Sequence, residues 1–439
     1  MVADLGSATR AASTEPNHQH CPGELHPSTV VLLAANSLGI ISENSCKSLR
    51  YVNQNLPRIA GRIVFEISWL ALHNQCAKVS LGSTSEAIIK LSVLDQSPVS
   101  DGYTPADALR NTIELARLAD KLGYERYWIA EHHAIVTLAS PAPEILIARI
   151  GAETSGIRIG SGGVLLPHYS PLKVAETFRM LHAMYPGRID LGIGRAPGGS
   201  GLEAFALRRD RGDRIQNDDF AEQLVELMAF LHHDFPSEHP FARIKVSPNM
   251  PGAPEVWLLG SSPWSSAVAA KLGLSYAFAH FITPEETPAA LELYRSNFQR
   301  SKQLAQPRAI VALGVICADT ESEAKRLYTS TQLHIRRIRL QGKRLPVPTP
   351  DQAIAELGTF AFGADPVVRG GGEWPRYVVG APEQVRDELE RMANSLQIEE
   401  IMMIAVLHDY QARLRSYRLI AEAFNISPRG SSGAKGLSV

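Results

Sequence analysis

Three short stretches concentrate side chains that could handle protons or anions. The first is Tyr127-Trp128-Ile129-Ala130-Glu131-His132-His133. It starts as an apolar, aromatic run, so it reads as a strand that ends in two histidines. Side chains alternate along a strand, which puts Trp128, Ala130 and His132 on one face and Ile129, Glu131 and His133 on the other. The two histidines therefore cannot both point inward. Ala130 is small and leaves room on the His132 face, where an imidazole could give or take a proton near neutral pH. The same pattern also fits a hydrogen-bonded rim histidine with no part in chemistry.

The second stretch is Gly192-Ile193-Gly194-Arg195-Ala196-Pro197-Gly198-Gly199. It is not a dinucleotide fingerprint, because Pro197 stands where that motif needs glycine and a loop follows in place of a helix. Arg195 sits at a strand tip among flexible backbone, suited to a phosphate or carboxylate and equally to a surface ion pair. The third stretch runs from the apolar Val256–Gly260 into Ser261-Ser262-Pro263-Trp264-Ser265-Ser266. Pro263 fits the first position of a helix, so Ser262 falls at the N-cap. A helix start offers free N–H groups and the positive end of the dipole, and Ser261, Ser262 and Ser265 add hydroxyls there. Simple capping by Ser262, worth about 1 kcal/mol, is the plainer reading. Two anion-seeking features on successive strand ends together favour a phosphate site. Between the first two stretches lies Gly160-Ser161-Gly162-Gly163-Val164. Consecutive glycines weaken a strand unless something approaches the backbone closely; a flat ring would explain them, and so would a bulge. Cys317 lies mid-strand and reads as core. The chain has no HExxH, P-loop or G-x-S-x-G pattern, so zinc protease, nucleotidase and esterase readings lack their usual support.

The elements that must position these groups alternate strictly. Apolar strand runs begin at Ile89, Tyr127, Ile157, Ile189, Val256, Ser275, Ala309 and Ile401. Helical spacing follows in 104–122, 143–154, 171–184, 220–231, 265–272, 284–302, 321–339 and 410–424, with a further helix over 383–394. Eight β/α units demand parallel strands with right-handed crossovers, which suits a closed (β/α)8 TIM barrel; the open doubly wound sheet is the alternative. Insertions are expected after strand 4, over 198–254, and before strand 8, over 341–380, the latter rich in proline and glycine and a candidate lid. The barrel is expected over 89–426. Residues 1–88 lack sustained periodicity and read as a disordered or loosely packed extension, and 427–439 as a flexible tail. His18, His20, Cys21 and His26 crowd too closely for a usual zinc site, and no metal is expected.

The 439 residues carry 44 Lys+Arg against 45 Asp+Glu, a net charge of -1. Such balance offers no electrostatic case for nucleic acid or an anionic membrane as partner. No run reaches the roughly 18 apolar residues of a spanning helix. The N-terminus lacks the pattern of a signal peptide and the 4 cysteines do not form a disulfide framework, so a soluble cytoplasmic protein is expected.

With these residues in place, the chain resembles the luciferase-like flavin monooxygenases. The likeness rests on Leu91-Ser-Val-Leu-Asp-Gln-Ser-Pro98, Trp128-Ile-Ala-Glu-His-His133, Gly160-Ser-Gly-Gly-Val-Leu-Leu-Pro-His168 and Tyr185-Pro-Gly-Arg-Ile-Asp-Leu-Gly-Ile-Gly-Arg195, and continues through 256–270 and 378–383. It covers about 89–425; each motif is weak alone and their order is specific. The resemblance implies a barrel that uses FMN and O2 to oxidise a small organic substrate, with reduced FMN from a separate NAD(P)H flavin reductase and a homodimer built through outer helices. It matches His132 to the active-site histidine, Gly162-Gly163 to a pair joined by a non-prolyl cis peptide beneath the flavin ring, and Arg195, Ser261, Ser262 and Ser265 to the FMN phosphate pocket. Trp128, Phe278 and Phe281 would line the substrate side. Gly194 and Ser261 stand where luciferase has a cysteine and a glutamate, so light emission and long-chain aldehyde specificity do not carry over. Deazaflavin-dependent hydride transfer in the same barrel, and non-catalytic flavin binding, are the rival expectations.

Overall fold

The structure, a computed structural model, describes residues 89–199, 201–207, 219–363 and 373–427. The expected extension over 1–88 with its histidine cluster, the Gly370-Gly371-Gly372 run and the tail beyond Ser427 lie outside the described residues.

Local signals place the elements well. The first strand, β1 (Lys90–Asp95), leads to helix α1 (Pro105–Leu122). Thr104 caps α1 by accepting from the Asp107 N–H at 3.2 Å, the Asp107 carboxylate answers the Thr104 N–H at 2.8 Å, and Gly123 closes the helix at φ 92°. Ala108, Leu115, Ala116 and Ala119 form its buried face. The chain continues through β2 (Arg126–Ile129), α2 (Pro143–Gly151), β3 (Arg158–Leu165), α3 (Pro171–Met184) and β4 (Ile189–Gly194). The first insertion holds α4 (Gly201–Leu207) and α5 (Phe220–His232). Then come β5 (Glu255–Gly260), α6 (Pro263–Leu272), β6 (Ser275–Ala279), α7 (Thr287–Ser296), β7 (Ala309–Cys317) and α8 (Glu321–Gln341). The second insertion contains α9 (Pro350–Leu357) and ends in a short strand, β8 (Tyr377–Gly380), before α10 (Pro382–Leu396), β9 (Glu400–Ile404) and α11 (Tyr410–Ala423).

All pairings between the described strands are parallel. The order runs β6-β5-β4-β3-β2-β1-β9-β7, and the pairing of β6 with β7 closes a (β/α)8 barrel. Strand β8 is an addition that the sequence reading folded into the insertion. Among the described residues it pairs only with the far half of β7, Gly314–Cys317, which shares just Gly314 with the stretch that pairs with β9. Four residues in a proline- and glycine-rich context carry too little periodicity to announce a strand.

Two packed layers result. Outside, Ile147, Phe178, Leu224, Tyr294, Leu389 and Tyr417 are among the side chains that fill the space between sheet and helices. Inside, the barrel is filled in tiers. At the N-terminal ends of the strands, Arg126 donates from Nε to Glu400 at 2.6 Å and from Nη1 to Asp190 at 2.8 Å. Ser92 also donates to Glu400 at 2.6 Å, and Arg158 Nε to Asp190 at 2.9 Å. Burial opposes the charge on Arg126, but Asp190 and Glu400 outweigh it and hold its pKa above the ordinary value. Above this floor sit Trp128 and Trp257, edge to face at 5.5 Å, with Trp128 Nε1 donating to Asp190 at 2.9 Å. The guanidinium groups of Arg126 and Arg308 each lie 4.8 Å from the Trp257 ring. Higher still, the inward positions of β2, β3, β6 and β7 are Ala130, Gly162, Ala277 and Ala312, and the interior opens.

Candidate active site

That opening is a cavity of about 440 Å³ at the C-terminal ends of the strands, within the range of small-ligand sites. His132, Gly162, Gly163, Arg195, Ser261, Ser262 and Ser265 all line it. Residues from β2 to α6, up to 133 positions apart in the chain, thus meet around one space.

His132 is held through its backbone, whose N–H donates to Ser140 O at 3.0 Å. The next residue faces the other way, as strand alternation requires. His133 Nε2 meets Glu131 Oε1 at 2.5 Å, Tyr169 donates to the same oxygen at 2.7 Å, and the Leu165 N–H donates to Glu131 Oε2 at 3.1 Å. Burial, then Glu131, keeps the Tyr169 phenol well above its usual pKa. This cluster locks the segment behind His132. The His132 Nδ1 is shut off from solvent and has no partner among the described residues. Burial, followed by Arg344 and His133, pushes its pKa down to about 4. The imidazole is therefore neutral at pH 7: a hydrogen-bond acceptor, and a weaker base than an unshifted histidine.

The glycine ledge crosses from β3. The Gly162–Gly163 peptide bond is cis, and the β3–β4 register shifts between Ser161 and Val164. The shift is the bulge that the glycine run allowed for. A Cβ on Gly162 would lie 2.6 Å from Leu94 Cδ1, and one on Gly163 would lie 2.7 Å from Gly192 O. No larger residue fits either position without displacing a neighbour.

Arg195 lies at the tip of β4 with its guanidinium carbon 3.9 Å from the centre of the Trp264 ring. Trp264 belongs to the first turn of α6, so the stack ties the β4 tip to that helix start. Ser262 is the N-cap of α6 by backbone geometry, yet its side chain makes no capping hydrogen bond. The first turn of α6, which lines the cavity, thus has no cap bond from the Ser262 hydroxyl. Ser265 is turned inward: its hydroxyl donates to Ser262 O at 2.7 Å and meets Tyr276 OH at 2.9 Å. It supports the turn from below. A Cβ on Gly260 would come 2.0 Å from Ser265 Oγ, so glycine there is what lets the two segments close.

Trp128 and Phe281 line the apolar side, with Leu94, Met402 and Ala312. Phe278 reaches the cavity wall, but its side chain packs in the outer layer between sheet and helices, beside Tyr276 at 6.2 Å. Alternation explains this, since its neighbour Ala277 takes the inward position on β6. Sequence reasoning passed over Trp264 and Gln96. An aromatic one residue after the helix-starting Pro263 was the available signal for Trp264. Among the described residues no group of His, Cys, Asp and Glu side chains is placed to hold a metal, and no helix is long and apolar enough to cross a membrane.

Residues 89–397 match the family described as luciferase-like monooxygenase. The N-acetyl-S-alkylcysteine monooxygenase of Bacillus subtilis (strain 168) is 37% identical over 336 residues, covering 76% of this chain and 98% of that protein. The solved structure of apo-MsnO8 is 52% identical, covers 78% of this chain and 100% of its own, and superposes with a TM-score of 0.72. The oxygenating constituent of 3,6-diketocamphane monooxygenase from Pseudomonas putida, solved with FMN, shares the fold at 21% identity and a TM-score of 0.57, over 78% of this chain and 99% of its own. The barrel, the cavity at its C-terminal mouth and these matches converge: the chain belongs to the luciferase-like monooxygenase family.

Proposed function

We propose that the protein is an FMN-dependent monooxygenase that oxidises a small organic substrate with O2. One observation carries the reading. A single cavity runs from the start of α6, where no side chain caps the helix, across a side-chain-free ledge to the His132 imidazole. These residues fit FMN. Arg195, the Ser261 and Ser262 hydroxyls and the α6 N–H groups would hold the phosphate; Ser265 would brace that turn. Gly162 and Gly163 would lie against the flat ring. Bound and reduced, FMN would supply the electrons that activate O2 for transfer of one oxygen atom to the substrate.

The chain's own part is positioning, dryness and proton handling. Trp128, Leu94, Phe281 and Met402 keep water from the reacting space. His132, which lines the cavity neutral at pH 7, would take up a proton transiently from the reacting groups and return it as the reaction closes. Reduced FMN would come from a separate NAD(P)H-dependent flavin reductase, and the protein would work as a homodimer.

The test is oxygen uptake by the FMN-loaded protein with NADH and a flavin reductase, measured with and without candidate substrates. Substrate-dependent uptake with an oxygenated product supports the proposal, and His132→Ala should retain FMN while losing most of that product. Preferential binding of a deazaflavin, or FMN binding with no substrate-dependent uptake across a broad screen, would contradict it.

A further inference from the structure

Gln96 follows directly on β1 and lines the cavity. Its two neighbours face away from it. Asp95 is buried on the opposite face, where it accepts from Arg413 Nη2 at 2.8 Å and from Tyr127 OH at 2.5 Å. Burial opposes the Asp95 charge, but Arg413 holds its pKa below the usual carboxylate range. Ser97 adopts φ 50°, an uncommon left-handed conformation for serine. It is secured there: its N–H donates to Asp95 Oδ1 at 2.9 Å, its hydroxyl accepts from Thr112 at 2.9 Å, and its carbonyl accepts from the Ala139 N–H at 2.9 Å. Arg413 comes from α11 and Thr112 from α1. Two outer helices thus fasten Asp95 and Ser97 from behind, and the residue between them is presented inward with little freedom.

Around Gln96 the wall is apolar. Leu94 precedes it on the same face. Ala130 lies across on β2, its N–H donating to Asp95 O at 2.9 Å, and His132 follows two residues further on. The Gln96 amide, both donor and acceptor, has no hydrogen-bond partner among the described residues. The backbone here is fixed by buried structure, and the half-buried, accessible amide is placed to bond a ligand in the cavity. The phosphate-binding features stand across the barrel at β4 and β5, so the β1–β2 side is where a second molecule would lie beside His132.

We infer that Gln96 is a substrate-orienting residue, and that the substrate is a compact, largely apolar molecule whose one neutral polar group, a carbonyl or hydroxyl, bonds the Gln96 amide next to His132. The inference deepens the monooxygenase reading and rests on it for the identity of the bound partner as substrate. A neutral amide matches a neutral group, and the surrounding Leu94, Trp128, Phe281 and Met402 match an apolar body.

The test uses the full-length protein and matched probes: cyclopentanone through cyclooctanone against the corresponding methylenecycloalkanes, which keep the shape and lose the acceptor. Binding is followed by ligand-observed NMR, without and with FMN, and FMN affinity is measured separately. The wild type should prefer ketone over hydrocarbon by roughly three- to tenfold, the worth of one hydrogen bond. Gln96→Leu should erase that preference while hydrocarbon binding and FMN affinity stay near wild type, a pattern that general damage to the fold would not produce. Gln96→Asn should restore part of it. Equal binding of ketone and hydrocarbon by the wild type, a preference that survives in Gln96→Leu, or a loss confined to FMN affinity would overturn the inference. Failure of the wild type to bind FMN, with the ketone preference intact, would strike the flavin reading instead and leave the amide's role standing.

Discussion

At the floor of the barrel Arg126 is fully buried, yet it donates to Glu400 and Asp190, and those carboxylates are shared with Ser92, Arg158 and Trp128. At the mouth, His132 Nδ1 is closed off from solvent with no partner among the described residues, and the Ser262 hydroxyl leaves its own helix uncapped. Charged groups at one end satisfy each other and hold the staves together. At the other end these two polar groups have no such answer among the described residues. Division of labour between the ends of the strands is what the barrel architecture permits, since loops at the mouth can change without disturbing the floor.

The sharpest way to break the comparison is at the floor. Arg126→Ala leaves Asp190 and Glu400 buried without their central cation and strips a face of Trp257. It should cost about 3–5 kcal/mol in a denaturant titration. The fraction that remains folded should bind FMN as the wild type does. At the mouth the balance reverses. Arg195→Ala should cost only about 1 kcal/mol of stability, chiefly its stack on Trp264, and weaken FMN binding by roughly ten- to a hundredfold, as expected for a charge-assisted contact, with little effect on riboflavin, which lacks the phosphate. Fluorescence titration of both ligands checks this.

Gly163→Ala sits between the two regimes. Its added methyl would press on Gly192 O, so it should cost about 1–3 kcal/mol of stability and also lower flavin affinity. Thermal unfolding and flavin titration of the same sample would show both effects. Ser262→Ala should change stability by less than about 0.5 kcal/mol, because no cap bond is lost, while weakening FMN a few-fold.

A further effect is in acid. The folded pKa of His132, about 4, lies below its usual 6.5, so the unfolded chain binds the extra proton. The contribution to stability is whole above about pH 6.5 and is lost as pH falls toward 4. His280 and His334 are pushed to about 4 by burial as well and titrate in the same window. His132→Gln should therefore flatten only part of the acid slope of unfolding free energy.

The mouth was more legible in the sequence than the floor. His132, Arg195 and the serines announced themselves because each stands at a strand tip or helix start, where local rules say which way a side chain points. The floor did not, because Arg126 and Glu400 are 274 residues apart and each looks, in its own neighbourhood, like an ordinary charge at a strand's beginning. Helix limits such as Pro171–Met184 were readable from proline at one end and the Tyr185-Pro-Gly turn at the other. Strand β8 was too short to stand out. The inward turn of Ser265 and the outward turn of Phe278 were decided by packing against Tyr276, which no spacing rule reports. The neutrality of His132 at pH 7 follows from burial, also invisible in a single chain's spelling.

The most direct test of the account is an equilibrium titration of the wild type and Arg195→Ala with FMN and with riboflavin. The account predicts saturable FMN binding by the wild type, tighter than riboflavin by at least about tenfold, and near-equal weak binding of both by Arg195→Ala. FMN binding that is absent, or no tighter than riboflavin and unchanged in Arg195→Ala, would contradict it.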